Sequence, residues 1–329
     1  MDLTLFQKLL EKEPKYRLKQ AKKALFQDLI QNWQGTTTLP LDLRSELAQK
    51  CPIEISAEIF ASDNSKTVKA FVVLKDGLKI ETVLMRHEAQ RNTVCVSSQI
   101  GCPLGCAFCA TGQMGFKRNL DAWEIVEQVL FFARYLKNTK DKVTNVVFMG
   151  MGEPFLNYEN VIEAIKILND EEGFGLGARH FSISTAGITE GIEKLAEEKL
   201  QINLAISLHA PNNKLRSKLM PSNEKYPIEK ILNAVQDYIK KTRRRVMFEY
   251  IMLKNVNDSE KCAKELGKLL KKNLYFVNLI SYNPTGVFEP STNLRIKIFK
   301  DILEERGITV IQRRRFGAGI KAACGQLTA

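Results

Sequence analysis

The chain has 329 residues, 44% of them hydrophobic and 26% charged, which excludes wholesale disorder and the collagenous and fibrous classes. That length predicts about two domains and a full core that needs no disulfides. Lysine and arginine number 49 against 37 acidic residues, a net charge of +12, which fits either a polyanionic partner or a merely basic surface.

The first fifty residues read as short helices. Leu5, Leu9 and Leu10 lie at helical spacing, and a second helix is expected after Pro14. Charges interrupt every apolar stretch of MDLTLFQKLLEKE, so no secretory signal is expected, and no run of 18 apolar residues spans a membrane. The expected location is the cytoplasm. Its reducing conditions suit the seven cysteines (Cys51, Cys95, Cys102, Cys106, Cys109, Cys262 and Cys324) to metals or catalysis rather than structural bridges. Lys15, Arg17, Lys19, Lys22 and Lys23 make residues 1–50 a small basic helical domain, whose charge is either RNA contact or a solvated face.

Residues 51–90 change to a β-rich connector. ISAEIFA, TVKAFVVLK and LKIETVLM alternate or run apolar, and Asp76-Gly77 between the last two signals a hairpin. From about residue 91 to 315, strands and helices alternate. The strand candidates are TVCVSS, TNVVFMG, HFSIST, INLAISLH, RVMFEYIML and YFVNLISY. Helical stretches lie at 121–137, 158–170, 188–199, 228–241 and 258–272, and a helix near 292–306 leads to the short apolar run ITVIQ. Six βα units with continuous apolar strands predict a parallel α/β fold, an incomplete barrel or a doubly wound sheet. Residues 316–329, FGAGIKAACGQLTA, read as a mobile tail.

In both folds the chemistry sits at the C-terminal ends of the strands. SQIGCPLGC follows the first strand, GMGEP the second, TAG the third, HAP the fourth and NPTG the sixth. Five such signals together favour one shared site on one rim.

Cys102, Cys106 and Cys109 form C-x3-C-x2-C, a spacing that chance explains poorly. Zinc is one reading, but a structural zinc site wants four ligands, and the fourth would have to be Cys95 or a distant histidine. The other reading is a [4Fe–4S] cluster, which with three thiolates keeps one iron open. If S-adenosylmethionine (SAM) fills that position through its amino and carboxylate groups, one electron passed to the sulfonium yields a 5′-deoxyadenosyl radical.

The C-x3-C-x2-C run, with Phe108 before its last cysteine, resembles the radical SAM superfamily. SQIGCPLGCAFCATGQMGFKRNL, FMGMGEP, AISLHAP and AACGQL together resemble the RlmN/Cfr family of radical SAM RNA adenine methyltransferases, from about residue 79 to the end, with PKYRLKQ the recognisable piece before it. The resemblance implies a partial (β/α)6 barrel with Cys102, Cys106 and Cys109 as cluster ligands. Gly152 and Glu153 would meet the methionine end of SAM, with Ser184, Ser207, Leu208, His209 and Asn283 lining the cofactor. It implies two SAM molecules per turnover. Cys324 takes a methyl group from one, and a radical made from the other activates that methyl for addition to the adenine, giving a protein–RNA adduct. Cys95 helps release the product and finishes in a disulfide with Cys324. Glu81 matches the proton acceptor, although an isolated Glu in a hairpin otherwise reads as exposed. Cys51 and Cys262 fall in no motif and read as small buried hydrophobes.

The partners so implied are 23S rRNA and tRNA, with a system supplying electrons and reducing the disulfide, and the enzyme is expected to be a monomer away from membranes. Phosphate contacts are expected from the basic run 240–245, or that run solubilises the surface; the run Arg313, Arg314, Arg315 favours RNA. Gly319 and Lys321 depart from the acidic residues common in the family's tail. Carbon 2 of adenine is the expected target and carbon 8 the alternative. A non-catalytic RNA-binding protein with a structural metal is the reading from another class.

Overall fold

The computed structural model describes residues 1, 3–270, 274–314 and 316–328. Three helices come first: α1 (Leu3–Glu11), α2 (Lys15–Phe26) and α3 (Leu41–Lys50). Pro14 and Pro40 stand immediately before α2 and α3, where a missing N–H removes no helical bond. Their apolar faces, with Phe6, Leu9, Leu25 and Leu47, join the fully buried Trp33 in the same core as the rest of the chain. Lys22 pairs with Asp170 at 2.7 Å and Lys19 with Glu172 at 2.7 Å, so part of the N-terminal basic run docks these helices within the molecule.

Strands β1 (Ser56–Ala61), β2 (Thr67–Val73) and β3 (Lys79–Arg86) follow, with the Asp76-Gly77 hairpin between the last two and Gly77 at φ +79°. β1 adds a third strand to that hairpin, and all pair antiparallel. β4 (Asn92–Val96) pairs antiparallel with β3, which welds this extension to the main sheet.

The next short sheet, β5 (Gln99–Gly101) with β6 (Phe116–Asn119), brackets the cysteine loop and the one-turn helix α4 (Ala110–Gln113). Then come α5 (Ala122–Lys137), β7 (Asn145–Phe148), α6 (Tyr158–Asn169), β8 (Phe181–Thr185), α7 (Thr189–Glu197) and β9 (Asn203–Ser207). After α8 (Asn213–Leu219) the pattern continues through α9 (Ile228–Thr242), β10 (Val246–Met252), α10 (Glu260–Leu269), β11 (Tyr275–Ser281), α11 (Asn293–Glu304) and β12 (Val310–Gln312). An Asp121/Glu124 capping box starts α5.

β4, β7, β8, β9, β10, β11 and β12 are all parallel and lie side by side in chain order. A doubly wound sheet would reverse its order partway, so this is the incomplete barrel. The sheet stays open, with β1 at one edge and β12 at the other. Among the described residues no helix is long and apolar enough to cross a membrane.

Candidate active site

The loops after β4, β7, β8, β9 and β11 meet on one rim. The chain enters the cysteine loop from β5, and backbone bonds fix the loop from several sides. Cys102 N–H donates to Gly115 O at 2.9 Å, Ala107 N–H to Leu219 O at 2.9 Å and Ala110 N–H to Gly325 O at 2.8 Å. Cys102, Cys106 and Cys109 are half-buried and all line one open cavity of about 920 Å³. Burial pushes the Cys102 thiol up to about 12 and the Cys106 thiol higher still, so both stay protonated unless a strong positive centre binds them. A [4Fe–4S] cluster is such a centre, and a cubane that takes one sulfur on each of three irons suits this donor set. Among the described residues no three His, Cys, Asp or Glu converge on the position of a single metal ion.

Glu153 lines the same cavity, 3% exposed. Its carboxylate accepts from the Phe155 N–H at 3.0 Å and the Ala186 N–H at 2.7 Å. Burial still raises it to about 7 against those donors, so an ammonium in the cavity would gain most as its partner. Gly152, at φ +96°, lets this loop lie against β5, for a Cβ there would stand 2.5 Å from the Gln99 Cβ. Ser184 and Ser207 end β8 and β9 with their Oγ atoms 3.5 Å apart, and both line the cavity.

His209 also lines the cavity, in the left-handed region at φ +58°. Its Nδ1 accepts the Ile251 N–H at 3.1 Å and its ring meets Phe108 edge-on at 4.8 Å. Burial depresses it to about 3, so it is a neutral imidazole. Leu208 is buried behind the wall, and its N–H is bonded to Glu249 O. Asn283 is drawn toward the tail, its Nδ2 3.5 Å from Cys324 O.

A smaller pocket of about 540 Å³ adjoins the cavity and contains both Cys95, on β4, and Cys324, in the tail. Cys324 is exposed at the mouth of this recess, where the surrounding protein raises its thiol while the Arg313 guanidinium pulls it back. Cys95 is buried and pushed up to about 12. Both cysteines stand as thiols. Cys51 is fully buried, as expected, and Cys262 half-buried on α10.

Glu81 is 1% exposed, not solvated. It pairs with Lys69 at 3.1 Å and accepts the Thr328 N–H at 3.0 Å, while Lys69 donates to Lys321 O at 3.3 Å. With the Thr111 hydroxyl donating to Leu327 O at 2.7 Å, these bonds lay the tail across β2, β3 and the cysteine loop. A Cβ at Gly319 would meet nothing, so the space there would also admit a side chain.

Three functional groups escaped the sequence reading. Lys69 is one; a lone lysine in TVKAFVV, diagonal across the hairpin to a lone glutamate in KIETVLM, was the signal. Glu249 is another, a single acid inside the apolar run RVMFEYIML, held by Asn278 Nδ2 at 3.1 and 3.0 Å. Arg216 is the third. Its fully buried guanidinium donates to Ala186, Ser207, Leu208 and Tyr226 carbonyls and to Asn223 Oδ1, bracing the loops after β8 and β9. Nothing in KLRSKLM marked it.

The run 240–245 stands at the other end of the barrel. Lys240 and Lys241 close α9, Arg243 to Arg245 lead into β10, and Lys240 and Lys241 pair with Asp237 and Glu197. It is remote from the rim that holds the cavity. Arg313 lines both pockets, Arg314 pairs with Glu88 at 2.8 Å, and Arg315 lies outside the described residues.

An incomplete parallel barrel with three cysteines at its C-terminal rim defines a radical SAM enzyme, and residues 96–266 match the model of the radical SAM superfamily. A probable dual-specificity RNA methyltransferase RlmN from Dictyoglomus thermophilum is 47% identical over 96% of this chain and 91% of its own. The ribosomal RNA large subunit methyltransferase N of Nitrosopumilus maritimus is 48% identical over 95% and 92%. A radical SAM methyltransferase from Sphaerobacter thermophilus superposes with a TM-score of 0.95 at 43% identity, covering 99% of this chain and 97% of that one. The chain belongs to the RlmN family of radical SAM RNA methyltransferases. Its cofactors are accordingly a [4Fe–4S] cluster and SAM.

Proposed function

We propose that this enzyme methylates carbon 2 of an adenine in 23S rRNA, and in tRNA, with Cys324 as the transient methyl carrier. The observation that carries the reading is the shared recess. Cys95 and Cys324 line one pocket, and Cys324 also lines the cavity that Cys102, Cys106 and Cys109 face. When bound, the cluster and SAM supply a methyl group and a carbon-centred radical. Cys102, Cys106 and Cys109 would hold the cluster, with Gly152 and Glu153 at the amino end of SAM and Ser184, Ser207 and His209 along it. Leu208 and Asn283 act at one remove, through the backbone wall and the tail.

Carbon 2 of adenine is electron-poor and rejects polar methyl transfer, so a thiol that first accepts the methyl gives the radical a carbon to activate. Addition to the ring leaves Cys324 joined to RNA and one electron in excess on the adduct, which a one-electron acceptor such as the oxidised cluster, when bound, would remove. A Glu81 carboxylate then accepts the proton from carbon 2, for which the tail must release Thr328. Attack of the Cys95 thiolate on the Cys324 sulfur breaks that sulfur–carbon bond, whose electron pair leaves with the carbon, and a proton returned by the Glu81 carboxyl or by water completes the methyl group. It leaves a Cys95–Cys324 disulfide for an external dithiol to reduce, and methylated adenine as product. The basic chain and an Arg313 at the cavity favour an RNA strand there. We take the enzyme to act as a cytoplasmic monomer.

The test is Cys95→Ala with rRNA under anaerobic conditions. A denaturant-stable protein–RNA adduct that needs Cys324 is expected; free methylated RNA from Cys324→Ala would overturn the assignment.

A further inference from the structure

Register fixes which side chains share the lumenal face of the β1–β3 extension. Cys95 is opposite Val83, Glu81 is opposite Phe71, and Phe60 is opposite Lys69. Side chains two apart point to the same face. Cys95, Val83, Glu81, Phe71, Lys69 and Phe60 therefore form one continuous surface running outward from the reaction pocket. The tail covers Lys69 and Glu81. Beyond it, Phe71 is half-buried and Phe60 is 36% exposed, on the edge strand β1, whose outer side pairs with no strand among the described residues. The two rings meet edge-to-face at 5.3 Å, and the Lys69 ammonium lies 4.7 Å from the Phe71 centroid and 5.7 Å from that of Phe60.

An exposed aromatic on an open edge strand is a liability unless something covers it. We propose that Phe60, supported by Phe71 and Lys69, is a stacking platform for an unpaired base of the RNA substrate near the modified adenine. This deepens the reading above and rests on it. Extracting an adenine from a stack strips its neighbours of their stacking partner. A π-face recovers that loss for any base. Three strand spacings separate Phe60 from Cys95, about 14 Å, a span of a few nucleotides. Lys321, whose carbonyl Lys69 bonds, is exposed for phosphates; Glu58, on the same face as Phe60, points to stacking rather than charge as the main contribution.

The reconstituted holoenzyme and a labelled 23S rRNA fragment that it methylates provide the test, with Phe60→Ala, Phe60→Leu and Phe60→Tyr compared. Phe60→Ala should weaken binding by about 5- to 100-fold and raise the KM for RNA in step. Phe60→Tyr should bind as the parent does, and Phe60→Leu, which keeps bulk without a π-face, should stay weak. Equal affinity for Phe60→Ala and parent, or rescue by leucine as complete as by tyrosine, would overturn the platform while leaving the parent's methylation intact. A parent enzyme that methylates no RNA would instead overturn the function beneath it.

Discussion

Lys69 and Glu81 sit on adjacent strands with 7% and 1% of their side chains exposed, so each charge depends on the other. Removing one partner of such a buried pair costs about 3–5 kcal/mol, and Lys69→Met should lower the unfolding free energy by that order and free the tail to faster proteolysis. Denaturant titration checks the first effect and limited proteolysis the second. Histidines set the acid limit. Burial, with Arg91, Arg313 and Arg314 nearby, lowers His87 to about 4, and burial lowers His209 to about 3. Both folded values lie below the unfolded 6.5, so the native chain binds protons less readily than the unfolded one. Their contribution is full above pH 6.5 and is lost as pH falls from there, that of His87 by about 4 and that of His209 by about 3. Thermal melts at pH 7.5 and pH 5 should show it, and replacing His87 with Gln should flatten part of the slope.

At the scale of elements, the loop after β7 has no slack. Gly152→Ala places a methyl 2.5 Å from the Gln99 Cβ at φ +96°, strain of about 1–3 kcal/mol that the loop relieves by moving Glu153. The KM for SAM should rise at least several-fold, measured by 5′-deoxyadenosine release. Strands were legible because buried parallel strands are apolar throughout: TVCVSS, NVVF and YFVNLIS each announced themselves. The joining of β1–β3 to the barrel was not legible, since pairing partners depend on register across the chain rather than on local pattern. For the same reason Glu81 read as exposed: its burial comes from Lys69 and from a tail 247 residues away.

At the scale of the molecule, the basic surplus divides by place. Lys19 and Lys22 hold the N-terminal helices to the barrel, and the 240–245 run lies at the end opposite the cavity. Net charge alone therefore does not locate an RNA site. The cysteine spacing was legible because a cluster loop must carry its ligands close in sequence, and the three cysteines line one cavity; Arg216 and Glu249 gather there only through folding. Charge reversal at Lys240 and Lys241 should change the KM for RNA less than twofold, while Arg313→Gln should sharply reduce methylation.

The proposed radical chemistry ends on carbon 2 of adenine. Nucleoside mass spectrometry of 23S rRNA treated with the anaerobically reconstituted enzyme, SAM and a reductant tests it directly. The expected product is 2-methyladenosine that disappears with Cys324→Ala; 8-methyladenosine alone, or 2-methyladenosine formed without Cys324, would overturn the assignment.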